Sequence, residues 1–382
     1  MYKILTHEGG QYTTFFEILQ TCKELDLRDN RGKRHCLAFV LLGLLVSLLR
    51  KRDGKLSSIH RSMVNKHKEL CDYLAIEECE VISRSHLPIL LGKVNLPVFE
   101  ALLSTHYGIL LNKEEQSWFA GDGKDLRGSI ESGNKRGEAL VQVVRHKDRA
   151  IVCQDNYSGK KESEKVCLRS LLNQADLENQ NITMDALHLS PLTTEPIEKS
   201  GGVFVVGLKD NQKELAEDMA HSTNYLPIAK QARTVEKGHG RIEIRNYFQY
   251  DISGEYFDSR WKDSNFQTLI KVERTRIITK TNKESKQTAY YISNGNPQQE
   301  EYFQAIREHW SVEVVNHVRD VTLQEDKLKT KKKPVTMMMA GLRTVVIKLL
   351  NFEKPKNMIA QLELFQDDFQ ALMNSLKAFR FL

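Results

Sequence analysis

The chain has 382 residues, of which 40% are hydrophobic and 28% charged, with a formal net charge of +6. These are the proportions of a soluble globular protein with room for two or three domains. The charge excess is modest, so its distribution along the chain carries more information than its sum. Six cysteines (Cys22, Cys36, Cys71, Cys79, Cys153, Cys167) show no CxxC spacing, which argues against a zinc site or a disulfide framework and fits a reducing cytosol.

In chain order, the first residues carry Lys3 and Glu8 and show no secretory signal pattern. Residues 1 to about 112 read as mostly helical, with Phe15, Phe16, Ile18 and Leu19 at helical spacing. A basic loop, Asp26 to His35, leads into Cys36 to Leu49, the one long apolar run. That run is shorter than the roughly 18–20 residues a bilayer span needs, and Arg34 and Arg50 bracket it. It is expected to be a buried helix, with no membrane partner. Lys51 to Lys68 is polar, and Arg84-Ser85-His86 opens either a helix-turn-helix-like unit or an ordinary capped helix. Pro97 to Leu111 reads as a further helix.

From Trp118 the pattern changes to strands. Ala139 to Val144 and Ala150 to Cys153 are β-rich runs separated by a polar turn. A helix over Glu162 to Leu177, a short strand ending on Asp185, a strand over Gly202 to Leu208 and a helix over Asn211 to Ser222 follow. The order of three strands, helix, strand, helix, strand is that of a ribonuclease-H-like α/β fold. In it the first and fourth strands are neighbours, so Asp122 and Asp185 come together although 63 positions separate them. The helix between the last two strands has to be short. Residues 230 to 295 are strand-like (Ile242 to Tyr250, Thr268 to Val272, Thr275 to Thr279, Ala289 to Ser293), and Asn294-Gly295-Asn296-Pro297 breaks the chain before a final helical region.

Three acids stand out within this frame. Asp122 follows the apolar Trp118-Phe119-Ala120, Asp185 ends a β-prone run, and Glu313 lies in a helical stretch from Ile306. Two strand-borne aspartates and a helix-borne glutamate suit hard, oxygen-preferring cations, and paired ions clamp the attacking and leaving oxygens of a phosphodiester. No glycine-rich cofactor fingerprint stands at a strand-to-helix turn, so a nucleotide-cofactor enzyme is not indicated.

The chain resembles the H-repeat-associated (ISAs-type) bacterial insertion-sequence DDE transposases. The resemblance rests on Asp122-Gly123-Lys124 with Leu126-Arg127-Gly128-Ser129, Asp185-Ala186-Leu187-His188, and Val206-Gly207-Leu208-Lys209-Asp210-Asn211-Gln212. It continues through Glu236-Lys237-Gly238-His239-Gly240-Arg241-Ile242-Glu243, and His309-Trp310 through Glu313 to Asp320-Val321-Thr322 and Glu325-Asp326. Asp29, Gly32, Lys33, Arg34 and His35 resemble the family's entry motif. In order and spacing these cover about residues 26 to 350. Asp125, where the family usually has a neutral residue, and Val314, where it has asparagine, are departures.

The resemblance implies a helical N-terminal DNA-binding domain over 1–112 and a ribonuclease-H-like core whose first part is 113–225. It implies a β-rich insertion over 226–297, with the catalytic helix and C-terminal helices in 298–382. Asp122, Asp185 and Glu313 would be the catalytic set holding two Mg2+ ions, with Mn2+ able to substitute. Glu313 is preferred over Glu308, Glu325 and Asp326 because it matches the family's position after His-Trp. Double-stranded DNA, as element ends and as target, is the implied partner, with a homodimer on DNA in the bacterial, nucleoid-associated cytoplasm. Lys33, Arg34, Lys124, Arg127, Lys209, His239, Arg241, Arg307 and His309 are the expected DNA contacts. To them is added the basic run of Lys329, Lys331, Lys332 and Lys333. Trp310 is expected to pack the catalytic helix on the sheet, and His188 is a candidate support for Asp185. A transposase-derived recognition protein and a metal-dependent nuclease remain the alternatives.

Overall fold

A computed structural model describes residues 14–50, 53–108, 115–158, 161–174, 177–258 and 260–382; for Gly32, Ser158 and 161–163 it describes the backbone alone. Two compact units emerge, each assembled from separated segments. Of the described residues, one contains those before and including Gly108, Leu126–Glu138 and His317–Leu382; the other contains 115–125 and Ala139–Asn316.

The first unit is helical. Helices α1 (Phe15–Thr21), α2 (Leu37–Arg50), α3 (Leu56–Leu74), α4 (Leu87–Leu91) and α5 (Leu96–Tyr107) come from the N-terminal segment. The basic loop thus enters a helix, and the last residues of the expected 97–111 helix lie outside the described ones. Every residue of α2 is buried, as a helix apolar on all sides requires. It packs against α3, where Gly43 leaves room: a Cβ there would stand 2.9 Å from Met63 Cγ. Arg84-Ser85-His86 precedes only the five-residue α4, which is too short for the second helix of a helix-turn-helix.

The second unit is built on one mixed sheet. Among the described residues its strands are β1 (Trp118–Asp125), β2 (Glu138–Arg145), β3 (Ile151–Ser158), β4 (Asn181–Met184), β5 (Phe204–Leu208), β6 (Ile228–Gly238), β7 (Arg241–Asp251), β8 (Thr268–Ile278) and β9 (Glu284–Ser293). The spatial order is β3-β2-β1-β4-β5-β9-β8-β7-β6. β1, β4 and β5 are parallel, and β4 and β5 are buried along their whole length, as expected of central strands covered on both faces. Helices α6 (Lys161–Gln174), α7 (Pro191–Lys199) and α8 (Lys213–Ser222) follow β3, β4 and β5, and Leu168, Leu171, Ile197, Leu215 and Met219 join the core of the sheet. The helix between β4 and β5 is indeed short, at nine residues.

Thr268 to Val272 and Thr275 to Ile278 belong to a single strand, β8, and Thr279 begins the turn after it. The four late strands form a meander that continues the central sheet by pairing β9 antiparallel to β5. Helices α9 (Glu301–Glu308) and α10 (Trp310–His317) close this part. Beyond His317 the chain returns to the helical unit with α11 (Lys333–Glu353), α12 (Met358–Asp367) and α13 (Phe369–Ala378). Helix α11 is long and apolar enough to cross a membrane, but 83% of its apolar window is buried within the protein, where it serves as a core helix.

Candidate active site

Strand pairing fixes the first two acids. Gly121 stands opposite Met184, the last pair of the parallel β1–β4 ladder, so Asp122 is the next residue of β1 and Asp185 the first beyond β4, at neighbouring strands roughly 4.8 Å apart. Residues in register point to the same face. Asp185 also ends its strand by capping the turn that follows, its Oδ1 accepting from Ala186 N at 2.7 Å.

The third acid is brought in by two anchors. Gln142, opposite Asp122 on β2, donates to Asn316 Oδ1 of α10 at 2.9 Å, and Asn316 lies one helical turn from Glu313. At the other end, His309 forms the junction between α9 and α10. Its Nδ1 is 2.9 Å from the buried Thr183 hydroxyl of β4. His146 Nε2 is 3.0 Å from that same hydroxyl, which donates to the Phe119 carbonyl oxygen at 3.1 Å. A hydroxyl that donates to a carbonyl accepts from both imidazoles, which sets both tautomers. Burial pushes His309 down to about 4 and His146 to about 3, so both are neutral at pH 7.

The acids interact electrostatically. Burial raises the Asp122 carboxyl to about 7, and the Glu164 and Asp185 carboxylates push in the same direction against the Gly123 N–H and His188. Burial also raises Glu313, reinforced by Asp185 and opposed by Lys209. Asp185 is the exception. Desolvation would raise it, but the Lys209 ammonium at 2.7 Å, together with Ala186 N–H, holds it below the ordinary aspartate value. Asp185 therefore acts on both of the other acids and already carries one cation.

All three acids line a cleft of about 510 Å3 with Lys209, Arg245, Arg274, Arg307, His309 and Trp310. The donor set is carboxylate oxygen with a crowded, partly protonated member. That fits a hard divalent cation, which would relieve the repulsion.

The sequence did not single out Glu164. It lies on α6, buried, with its Oε2 accepting from Tyr157 OH at 2.8 Å and its Oε1 3.5 Å from His188 Nε2. Ligand atoms of Asp122, Glu164 and His188 all lie within 4.8 Å of one another. Gly123 makes the approach possible, because a Cβ there would meet the Glu164 carboxyl carbon at 2.5 Å. A signal existed: Glu164 leads the apolar stripe Leu168, Leu171, Leu172 at helical spacing, an acid on a buried face. His188 faces this group, and neither ring nitrogen makes a hydrogen bond among the described residues.

Several expected DNA contacts have partners within the protein. Lys124 is buried in β1. Arg307 grips Glu236 through Nε and Nη2, each at 3.1 Å, and Glu236 also holds Arg245. Arg241 pairs with Glu243 at 2.7 Å. His239 and Gly240 form the two-residue turn between β6 and β7, with φ of 49° and 72°, the geometry of a type I′ hairpin. Trp310 does not pack on the sheet: it is 55% exposed at the cleft.

Lys33, Arg34, Arg127, Lys329, Lys331, Lys332 and Lys333 belong to the helical unit and are exposed there. Lys331 bonds the Ile130 carbonyl, and Lys333 lies 3.4 Å from Glu138. Of the competing acids, Glu325 is buried between Arg319 and Arg343 in that unit, Asp326 accepts from Arg127 N, and Glu308 lies 3.7 Å from His146.

Sheet and acids together define an α/β protein with a carboxylate centre suited to divalent cations. The chain belongs to the Transposase DDE domain family, which matches residues 113–347. It is 31% identical to Escherichia coli K12 YbfL over 240 residues, 61% of this chain and 64% of that protein. It is 29% identical to the "H repeat-associated putative transposase YhhI" of the same strain over 250 residues, 64% of this chain and 66% of the relative. With "Putative transposase YncI" of Escherichia coli O157:H7 it shares 26% identity over 236 residues, 60% of each chain. The match thus spans a little under two thirds of these relatives' length. The resemblance to the H-repeat-associated group is borne out.

Proposed function

We propose that the protein is a DNA transposase that cuts element-end DNA and joins the freed 3′ hydroxyl to target DNA, with Asp122, Asp185 and Glu313 as its metal ligands. The observation that carries this reading is the meeting of the three acids in one cleft, two at neighbouring parallel strands and one on a helix anchored to β2 through Gln142 and to β4 through His309. The strand order 3-2-1-4-5 with β1, β4 and β5 parallel supports a ribonuclease-H-like core. When bound, two Mg2+ or Mn2+ ions would supply Lewis-acid stabilisation of the attacking and leaving oxygens.

The residues divide the remaining work. Thr183 and Gln142 hold α10 against the strands, so that Glu313 faces Asp185. Neutral His309 is a positioning residue. Lys209 balances Asp185 before cations and DNA arrive. Arg245, Arg274 and Arg307 line the cleft and suit a polyanion, although Glu236 and Glu243 restrain two of them. Exposed Arg127, Lys329, Lys331, Lys332 and Lys333 serve phosphate contact in the helical unit. In this reading residues 1–112 bind DNA, 113–225 and 298 onward carry the catalytic groups, and 226–297 is an insertion. A homodimer on DNA brings two element ends together, in the bacterial cytoplasm.

The test is cleavage of a labelled duplex carrying the gene's flanking ends, in Mg2+ or Mn2+, comparing wild type with Asp185→Ala. Metal-dependent cuts lost in the variant, with end-to-target joints in the wild type, support the reading. Cuts without joints would indicate a nuclease. Binding without cuts would indicate recognition alone.

A further inference from the structure

The helical unit brings together three metal-ligating side chains that the cysteine spacing does not advertise. Helix α3 carries His67 and Cys71 one turn apart, on one face. The helix ends at Ala75 in the left-handed region (φ 52°), and the chain then runs back along it. This return delivers Cys79 to His67: the Cys79 carbonyl oxygen is 2.7 Å from His67 Nε2, and Cys79 Sγ is 3.8 Å from the same nitrogen. Ligand atoms of His67, Cys71 and Cys79 all lie within 4.8 Å of one another.

We propose that His67, Cys71 and Cys79 form a zinc site that fastens the returning segment 79–82 to helix α3, with Cys36 at its open side. Tetrahedral zinc, with Zn–N near 2.0–2.1 Å and Zn–S near 2.3 Å, sets ligand nitrogen and sulfur about 3.6 Å apart. The observed 3.8 Å lies within a few tenths of an ångström of that separation. His67 and Cys71 are both buried and Cys79 is exposed, and the Phe39 and His67 rings pack perpendicular to one another at 5.4 Å between centroids. A cavity of about 20 Å3 beside them is lined by Cys36, His67 and Cys79, room for one small ion or water.

Ligation costs the His67–Cys79 carbonyl bond, because the same nitrogen is used. Three metal bonds replace it. The segment is held a second time by His60 Nε2, 2.8 Å from the Ile82 carbonyl oxygen. The neighbouring residues therefore keep their course whether or not the site is loaded.

The experiment is zinc content of the full chain, purified under reducing conditions, loaded with zinc and dialysed. Wild type and a Cys22→Ser control are expected to hold about one zinc per chain. Cys71→Ser, Cys79→Ser and His67→Ala are expected to lose it, whereas His67→Cys, which restores a ligand, retains it. Retention by the Cys variant with loss in the Ala variant separates ligation from misfolding. Cobalt-loaded wild type should show a thiolate-to-metal charge-transfer band that Cys79→Ser lacks. The proposal is overturned if loaded wild type holds no zinc, if Cys71→Ser and Cys79→Ser both keep full zinc, or if intact mass shows a Cys71–Cys79 disulfide in the metal-free protein.

Discussion

Asp122 illustrates how a single carboxyl reports its surroundings. Its folded pKa of about 7 lies above the ordinary 3.8, so it contributes stability that is full below about 3.8 and lost as pH rises through about 7. In EDTA at pH 8, Asp122→Asn should therefore be more stable than wild type, with the gain shrinking at pH 5. Mg2+ at pH 8 should raise the Tm of wild type and leave that of Asp122→Asn unmoved. Shifts of a few degrees are expected, at ~2–4 °C per kcal/mol for a domain of this size. Differential scanning fluorimetry at both pH values checks it, and an equal Mg2+ shift in the two proteins would sink the ligand assignment. Thr183 tests the support beneath the acids. Thr183→Val removes the acceptor of two neutral imidazoles. It should cost about 1–3 kcal/mol, the usual penalty for orphaned buried polar groups, read from urea unfolding. DNA cleavage should fall further than DNA binding.

At the level of elements, the stretch carrying Glu313 is two helices rather than one. The junction at His309 is where the chain dips to Thr183, and no pattern of apolar residues reports a side chain's hydrogen bond to another strand. Beyond it, the π-helical turn Val318–Thr322 carries Arg319 into the core beside Glu325, Thr344 and Arg343. Glu325 is thereby committed to structure. Glu325→Ala would leave two buried guanidinium groups facing one another, at about 3–5 kcal/mol, measurable by guanidinium denaturation. A variant with unchanged stability and lost cleavage would restore Glu325 as a candidate ligand. The β6–β7 hairpin gives a milder case. Gly240→Val places a branched side chain at φ 72°, a conformation such residues rarely adopt, and should destabilise by ~1–3 kcal/mol.

For the whole molecule, the net charge of +6 says less than where the charge lies. Lys329, Lys331 and Lys332 are exposed just before α11, whose first residue Lys333 pairs with Glu138; this is the positive end of that helix dipole and a poor place for cations without an anionic partner. If DNA phosphates are that partner, replacing Lys329, Lys331 and Lys332 with alanine should weaken binding to all sequences alike. It should also flatten the log Kd against log salt plot by about 0.9 for each phosphate that the variant no longer neutralises. An unchanged slope in a salt titration would move the DNA contact elsewhere.

The sequence by itself determined the buried helix α2 and the order of strands and helices around Asp122 and Asp185, and it offered the three acids as candidates, because apolar periodicity and ordered motifs are local properties of the chain. The β1–β4 neighbourhood followed from that order alone. Only the tertiary structure decided that the late strands continue the same sheet through β9 and β5, since strand pairing is a long-range choice that alternation does not encode. It also decided which acids share a cleft and which are consumed by arginines. Glu164 beside Asp122, and Cys79 beside His67 and Cys71, arise the same way: chain reversals bring together side chains whose spacing matches no fixed motif.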